Sequence, residues 1–174
     1  RFQLVAAMNP CRCGNFGLPG QECSRAPKCA EEYRARISGP LLDRIDIQIE
    51  VPAVSPWDLA DVRPGESSDE IRKRVIAARE IQKKRFAAFG CPSLLTNSQL
   101  KGELLEQAAA LDNEAKALLL SYADRTAMSA RAYHRTLRLA RTIADLQNEN
   151  KLLRIHIAEA LSLRWKTPDY KSRR

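Results

Sequence analysis

No apolar run in this 174-residue chain approaches the roughly 18 residues that cross a bilayer. No stretch joins a basic start to an apolar core and a small-residue cleavage site, so no secretory signal is visible. A membrane partner is therefore not expected. Glycine is scarce, and the seven present never fall into G-x4-G-K-[ST]. Gly14, Gly17 and Gly20 are evenly spaced, but no Lys-Ser/Thr follows, so no phosphate-cradling loop is encoded. There are two histidines. His134 and His156 each stand alone on helical sequence, which suits a surface or packing role better than metal ligation. No Ser-His-Asp order or paired-carboxylate arrangement stands out, and strand patterning is absent after residue 52.

What is present narrows the class. A hydrophobic content of 44% with 29% charged residues is ordinary for a soluble globular protein, long enough for one sizeable core or two small lobes. The net charge of +8 suits an anionic partner such as nucleic acid or nucleotide phosphate, with a merely solvated basic surface as the alternative. Five cysteines without a targeting segment point to a reducing compartment, the cytoplasm. There a cysteine cluster is more often a metal site than a disulfide framework. The chain opens without methionine, directly in apolar sequence, and is read as a piece of something longer.

The pattern predicts a mainly α chain with a small β portion. Phe2 to Ala7 is a short apolar run closed by Asn9-Pro10, as in a buried strand. Residues 10–30 form a long loop, Glu31–Ile37 a short basic helix, and Pro40 suits the first turn of a brief helix over Leu41–Arg44. Ile45, Ile47, Ile49 and Val51 alternate with Asp46, Gln48 and Glu50, the clearest strand pattern present. Residues 1–52 thus resemble two strands of a larger sheet, because two strands alone cannot bury their faces. Residues 53–66 read as a linker, 67–166 as an all-helical bundle, and 167–174 as a disordered tail. Ser67-x-x-Glu70 is a capping box that opens a helix over Asp69–Phe89, with Ile71, Val75, Ala78 and Gln82 on one face. Gly90 and Pro92 stop it, leaving Cys91 as a turn or packing residue. Further helices are expected near 101–110, 112–123, 129–147 and 152–164.

Three places could carry chemistry. Cys11, Cys13, Cys23 and Cys29 fall within nineteen residues, spaced C-x-C-x9-C-x5-C. Four thiolates can surround one structural Zn2+; a glycine-rich loop with reduced thiols is the alternative. Catalytic zinc is not expected, because no His, Asp or Glu sits at ligand spacing in the loop. Arg44 ends a short helix just before a strand, a sensible mounting for a guanidinium reaching a neighbouring subunit's phosphate. An ion pair with Asp43 or Asp46 is the plainer alternative. Finally, Arg131, Arg135, Arg138 and Arg141 form a basic stripe behind the Ser129 cap, opposite Tyr133, Leu137, Ala140 and Ala144. Such a stripe is usually solvated, although Arg131 at the helix start could touch a phosphate.

In order, AAMNPC, the cysteine loop, RISGPLLDRIDI, PGESS and LSYADRTAMSARAYHRTLRLARTIADL resemble the magnesium-chelatase-like AAA+ ATPases. Within them the resemblance is to the ComM/YifB branch, bacterial proteins of competence and DNA recombination. It runs from Leu4 to about Arg164. It implies the end of an AAA+ α/β core, two strands plus the cysteine-rich loop, followed by the AAA+ helical lid. Asn9 would be sensor 1, Arg44 the arginine finger and Arg131 sensor 2, all serving ATP with Mg2+. The parent would form a homo-hexameric ring and drive ATP-dependent branch migration of DNA, a helicase-type activity. Lacking Walker A and B, the chain on its own would be inactive toward ATP and is read as a monomer. The branch's loop more often shows two C-x-C pairs; here the second would be Cys23 and Arg25, with Cys29 replacing the lost ligand. Two other functions remain open: a zinc knuckle plus basic helical DNA-binding module, and a magnesium-chelatase-type subunit.

Overall fold

The computed structural model describes residues 3–16, 20, 23–52, 54, 57, 60 and 65–164. Most of the expected linker, and the whole expected tail, lie outside the described residues. The chain divides into two compact units, Arg1–Ile45 with Val51–Ala60, and Asp46–Glu50 with Asp61–Arg174.

In the first unit, short helices follow the cysteine loop. Helix α1 spans Lys28–Arg34, starting earlier than the sequence pattern indicates because the turn over Cys23–Pro27 leads straight into it. Helix α2 spans Gly39–Leu42. The Ser38 hydroxyl accepts the Leu41 N–H at 3.3 Å, and Pro40 occupies the first turn, where its missing N–H leaves no bond unmade.

The described residues do not show the expected β portion. Among the described residues there is no strand, and the isolated bridge between Leu111 and Leu152 lies elsewhere. Residues 3–9 and 45–52 run without ladder partners, and Val5, Ile49 and Val51 are more than two-thirds exposed. Alternation fixes which side chains share a face; pairing needs a neighbouring strand, and none lies among the described residues.

The second unit is a helical bundle. Helix α3 spans Ser68–Ala88 behind the capping box: Glu70 N–H donates to the Ser67 hydroxyl, and Ser67 N–H donates to the Glu70 carboxylate. It ends in a Schellman turn. Gly90, at φ +69°, donates to the Ala87 carbonyl, and Cys91 N–H donates to the Phe86 carbonyl. Cys91 is therefore a helix-stop residue. Only Ala78, Gln82 and Phe86 of α3 are buried, whereas Ile71 and Val75 are exposed. The expected apolar face thus packs along the second half of the helix alone.

A 3-10 turn at Asn97–Gln99 leads to α4, Gly102–Ala108, and α5, Asn113–Thr126. Helices α6, Ala130–Leu146, and α7, Arg154–Ser162, complete the bundle. Asp112 and Ser129 cap α5 and α6 through their side-chain oxygens. Helix α6 is central. Its buried Ala140 and Ala144 let neighbouring backbones approach, and Leu137 joins Phe86, Leu100, Leu105, Leu119, Leu152 and Ile157 in one core. Among the described residues no helix is long and apolar enough to cross a membrane.

A polar knot is set into this core. The Asp145 carboxylate accepts from Arg85, Arg141, Asn97 and Gln82, tying α3 and the 3-10 turn to α6. Arg141 is fully buried and also donates to the carbonyls of Glu149 and Asn150. His156, likewise buried, accepts the Leu153 N–H at Nδ1 and faces the Gln147 side chain through Nε2, closing the start of α7.

Candidate functional site

Asn9 is exposed, at the end of the extended run 3–9, immediately before the cysteine loop. The loop turns at once: Gly14 N–H donates to the Cys11 carbonyl at 3.1 Å, and Gly14 takes φ +82°, where a β-carbon would be strained. This turn brings the first two thiols together, with Cys11 Sγ 3.2 Å from Cys13 Sγ. Helix α1 carries Cys29 to the same place, so the sulfurs of Cys11, Cys13 and Cys29 all lie within 4.8 Å of one another. Cys23 packs against the buried pair Cys11 and Cys29, with Phe16 beside it.

The thiols polarise one another. Burial opposes ionisation of Cys11, but hydrogen bonds from the Cys13 thiol and from nearby backbone N–H groups outweigh it and hold the thiol at about 7. The Asn15 N–H favours the Cys13 thiolate, yet sharing protons with Cys11 and Cys23 pushes it up to about 11. Cys23 is lowered, first by the Arg25 N–H and then by Cys13. Four sulfurs around one tetrahedral Zn2+ would sit about 3.8 Å apart. The sulfurs of Cys11, Cys13 and Cys29 fit three positions of that donor set, and Cys23, packed against them, would supply the fourth. Cys11, Cys13, Cys23 and Cys29 would hold the ion, and its chemistry would be that of a cross-link.

Arg44 follows α2. Its Nη1 donates to the Pro40 carbonyl at 2.7 Å, folding the exposed side chain over the end of that helix. Among the described residues it projects from a helix end, with no strand beside it. Asp46 pairs with Arg135 of α6 at 2.6 Å, and Gln48 N–H donates to the Leu163 carbonyl, so the segment Asp46–Glu50 belongs to the bundle.

The α6 arginines do not form a solvated stripe. Arg141 lies in the core, Arg138 is partly buried with Nε donating to the Leu100 carbonyl, and Arg135 is bound to Asp46. A helix of this amphipathicity turns part of any i, i+7, i+10 series inward, and buried guanidinium is stable there because carbonyls and Asp145 meet it. Arg131 alone of the four is exposed, in the first turn of α6. Asn9 and Arg44 belong to the first unit and Arg131 to the second.

Sequence reasoning did not single out a further group. Arg12, Arg25, Tyr33, Arg36 and Glu32 line a cleft of about 50 Å3 bordered by Cys29. Arg25 donates to Glu32 at 3.0 Å. A signal was available: Arg12 lies between Cys11 and Cys13, Arg25 two residues beyond Cys23, and Arg36 just past the helix that carries Cys29.

Residues 65–164 match the family model described as magnesium chelatase, subunit ChlI C-terminal, and residues 1–59 match that of magnesium chelatase, subunit ChlI. The chain belongs to the magnesium chelatase ChlI family. It is 38% identical over 165 residues to the competence protein ComM of Haemophilus influenzae. It is also 39% identical to protein YifB of Escherichia coli K12 and 36% identical to YifB of Salmonella typhimurium, both described as uncharacterised. Each alignment covers 94% of this chain and 31% of the relative, so the chain spans about a third of their length. The helical bundle coincides with the residues, 65–164, that match the subunit ChlI C-terminal model.

Proposed function

We propose that this chain is the nucleotide-sensing and lid portion of an AAA+ ATPase that remodels DNA by ATP-dependent branch migration in recombination and natural transformation. Asn9 serves as sensor 1, orienting the water that attacks the γ-phosphate. Arg44 is the arginine finger offered to the adjacent subunit of a homo-hexameric ring, and Arg131 is sensor 2. Phosphoryl transfer depends on placing the nucleophile and neutralising charge on the transferring group, and an amide and two guanidinium groups suit those tasks with ATP and Mg2+. A structural Zn2+ at Cys11, Cys13, Cys23 and Cys29 staples the loop that leaves Asn9. The protein acts in the cytoplasm.

The observation that carries this reading is the position of Arg131. Arg131 is exposed in the first turn of α6, behind the Ser129 cap, where a phosphate is favoured by the helix dipole. Similarity to a competence protein along nearly the whole chain supports the DNA assignment.

The test is ATP turnover by the full-length ring. Arg44→Ala is expected to lower kcat by about 10^3-fold or more, the usual worth of an arginine finger. Doping Arg44→Ala subunits into wild-type rings should depress activity beyond their mole fraction, because each finger acts on its neighbour. Full activity in Arg44→Ala rings would overturn the assignment.

A further inference from the structure

The geometry points to the arginine cleft beside the cysteine loop as a seat for the phosphodiester backbone of nucleic acid. This deepens the DNA-acting reading and rests on it. Three guanidinium groups, Arg12, Arg25 and Arg36, and the Tyr33 side chain converge there against a single carboxylate, Glu32. Glu32 already receives Arg25, so the remaining balance of the cleft is cationic. Guanidinium is planar and presents paired N–H groups, which match two oxygens of one phosphate where a lysine would offer only a point charge.

The thiol cluster sets the spacing of these groups. Arg12 lies between Cys11 and Cys13, Arg25 lies two residues beyond Cys23, and Tyr33 rides on α1 with Cys29. Folding the thiols together therefore folds the arginines together, which gives the loop a purpose beyond connecting Asn9 to α1.

The ligand class follows from exposure. Arg12, Arg25 and Arg36 are solvent-exposed, and the cleft is small. A free phosphate ion would keep most of its hydration in such a place. A phosphate carried on a polymer gains from neighbouring contacts as well, and the chain's +8 charge supplies the surrounding field. Exposed guanidinium groups of this kind position a phosphate backbone, and binding is taken as independent of sequence.

The experiment is fluorescence anisotropy of a short labelled DNA with this 174-residue chain, between about 50 and 200 mM salt. The wild type should bind with log Kd linear in log salt. Arg12→Ala with Arg36→Ala should weaken binding several-fold and reduce the salt slope by about 2, one per lost phosphate contact. Glu32→Gln should tighten binding. Arg12→Lys with Arg36→Lys, which keeps the charge, should fall between, and circular dichroism of each variant verifies folding. Lys83→Ala with Lys84→Ala, on the exposed face of α3, is the control for charge alone. Equal losses in the control pair and the arginine pair would overturn the proposal, as would polyglutamate competing as well as unlabelled DNA. In the full-length ATPase, Arg12→Ala with Arg36→Ala should leave DNA-independent turnover unchanged and abolish its stimulation by DNA. Absence of any turnover in the wild type would sink the ATPase reading while leaving the DNA-binding result standing.

Discussion

His156 is a histidine that folding keeps neutral. Burial, and after it the positive charge of Arg141, lowers its pKa, although Glu149, Glu159 and Asp112 pull the other way. The hydrogen bonds agree: Nδ1 accepts from Leu153, so the ring proton sits on Nε2, toward the Gln147 carbonyl oxygen. A second proton would face the Leu153 N–H donor to donor. In the unfolded chain the same side chain titrates near its ordinary value of about 6.5. The unfolded state therefore binds the proton first, and stability must fall as pH drops below about 6.5, while above that value it is flat with respect to this group. Urea midpoints at about pH 7.5 and about pH 5.5 should differ for the wild type, and the difference should shrink in His156→Asn, whose amide oxygen can still accept from Leu153. An unchanged pH dependence in the variant would show that other groups are responsible.

At the scale of elements, the helices are held in register by one carboxylate. Asp145 is fully buried and receives two arginines, Arg85 from α3 and Arg141 from its own helix. Removing it leaves both guanidinium groups with an unmet charge in the core, so Asp145→Ala should destabilise the bundle by about 3–5 kcal/mol. Replacing Arg85 as well, as Arg85→Met with Asp145→Ala, should recover part of the loss in the same urea titration. Failure to recover would mean that Arg141 is the dominant burden. The Arg141–Asp145 spacing is local, but the carbonyls of residues 149 and 150 and the approach of Arg85 from another helix were not legible in the sequence. Helix ends were legible: Ser67 with Glu70, Ser129, and Gly90 act through neighbours three residues away or fewer. Alternation at Ile45–Val51 was equally clear, but strand pairing is a long-range property and no partner is among the described residues. The four cysteines were visible as a set; that the Gly14 turn and α1 would bring Cys11, Cys13 and Cys29 together was not. The arginines of the cleft stood near the cysteines in sequence, but their convergence on one cleft was not legible there.

For the molecule as a whole, the two units are sustained by different forces. The bundle has an apolar core of leucine, isoleucine, phenylalanine and alanine drawn from five helices. In the other unit, the buried apolar residues among those described are Cys11, Cys29 and Ala30, with Phe16 and Cys23 against them. A cluster of that size offsets little conformational entropy, and a metal or a cross-link would add to it. Binding of Zn2+ by thiolates supplies folding free energy directly, because the ligands are brought together only in the folded state. The chain purified with zinc should therefore carry one equivalent, released by a strong chelator or by thiol-blocking reagent. Release should open residues 23–45 to protease and to fast amide exchange, while the thermal transition of the bundle stays where it was. Cys11→Ser or Cys29→Ser should reproduce that pattern without chelator. Protection of residues 23–45 that persists after complete metal removal would show that the loop needs no staple, and the cysteines would then have to be explained by packing alone.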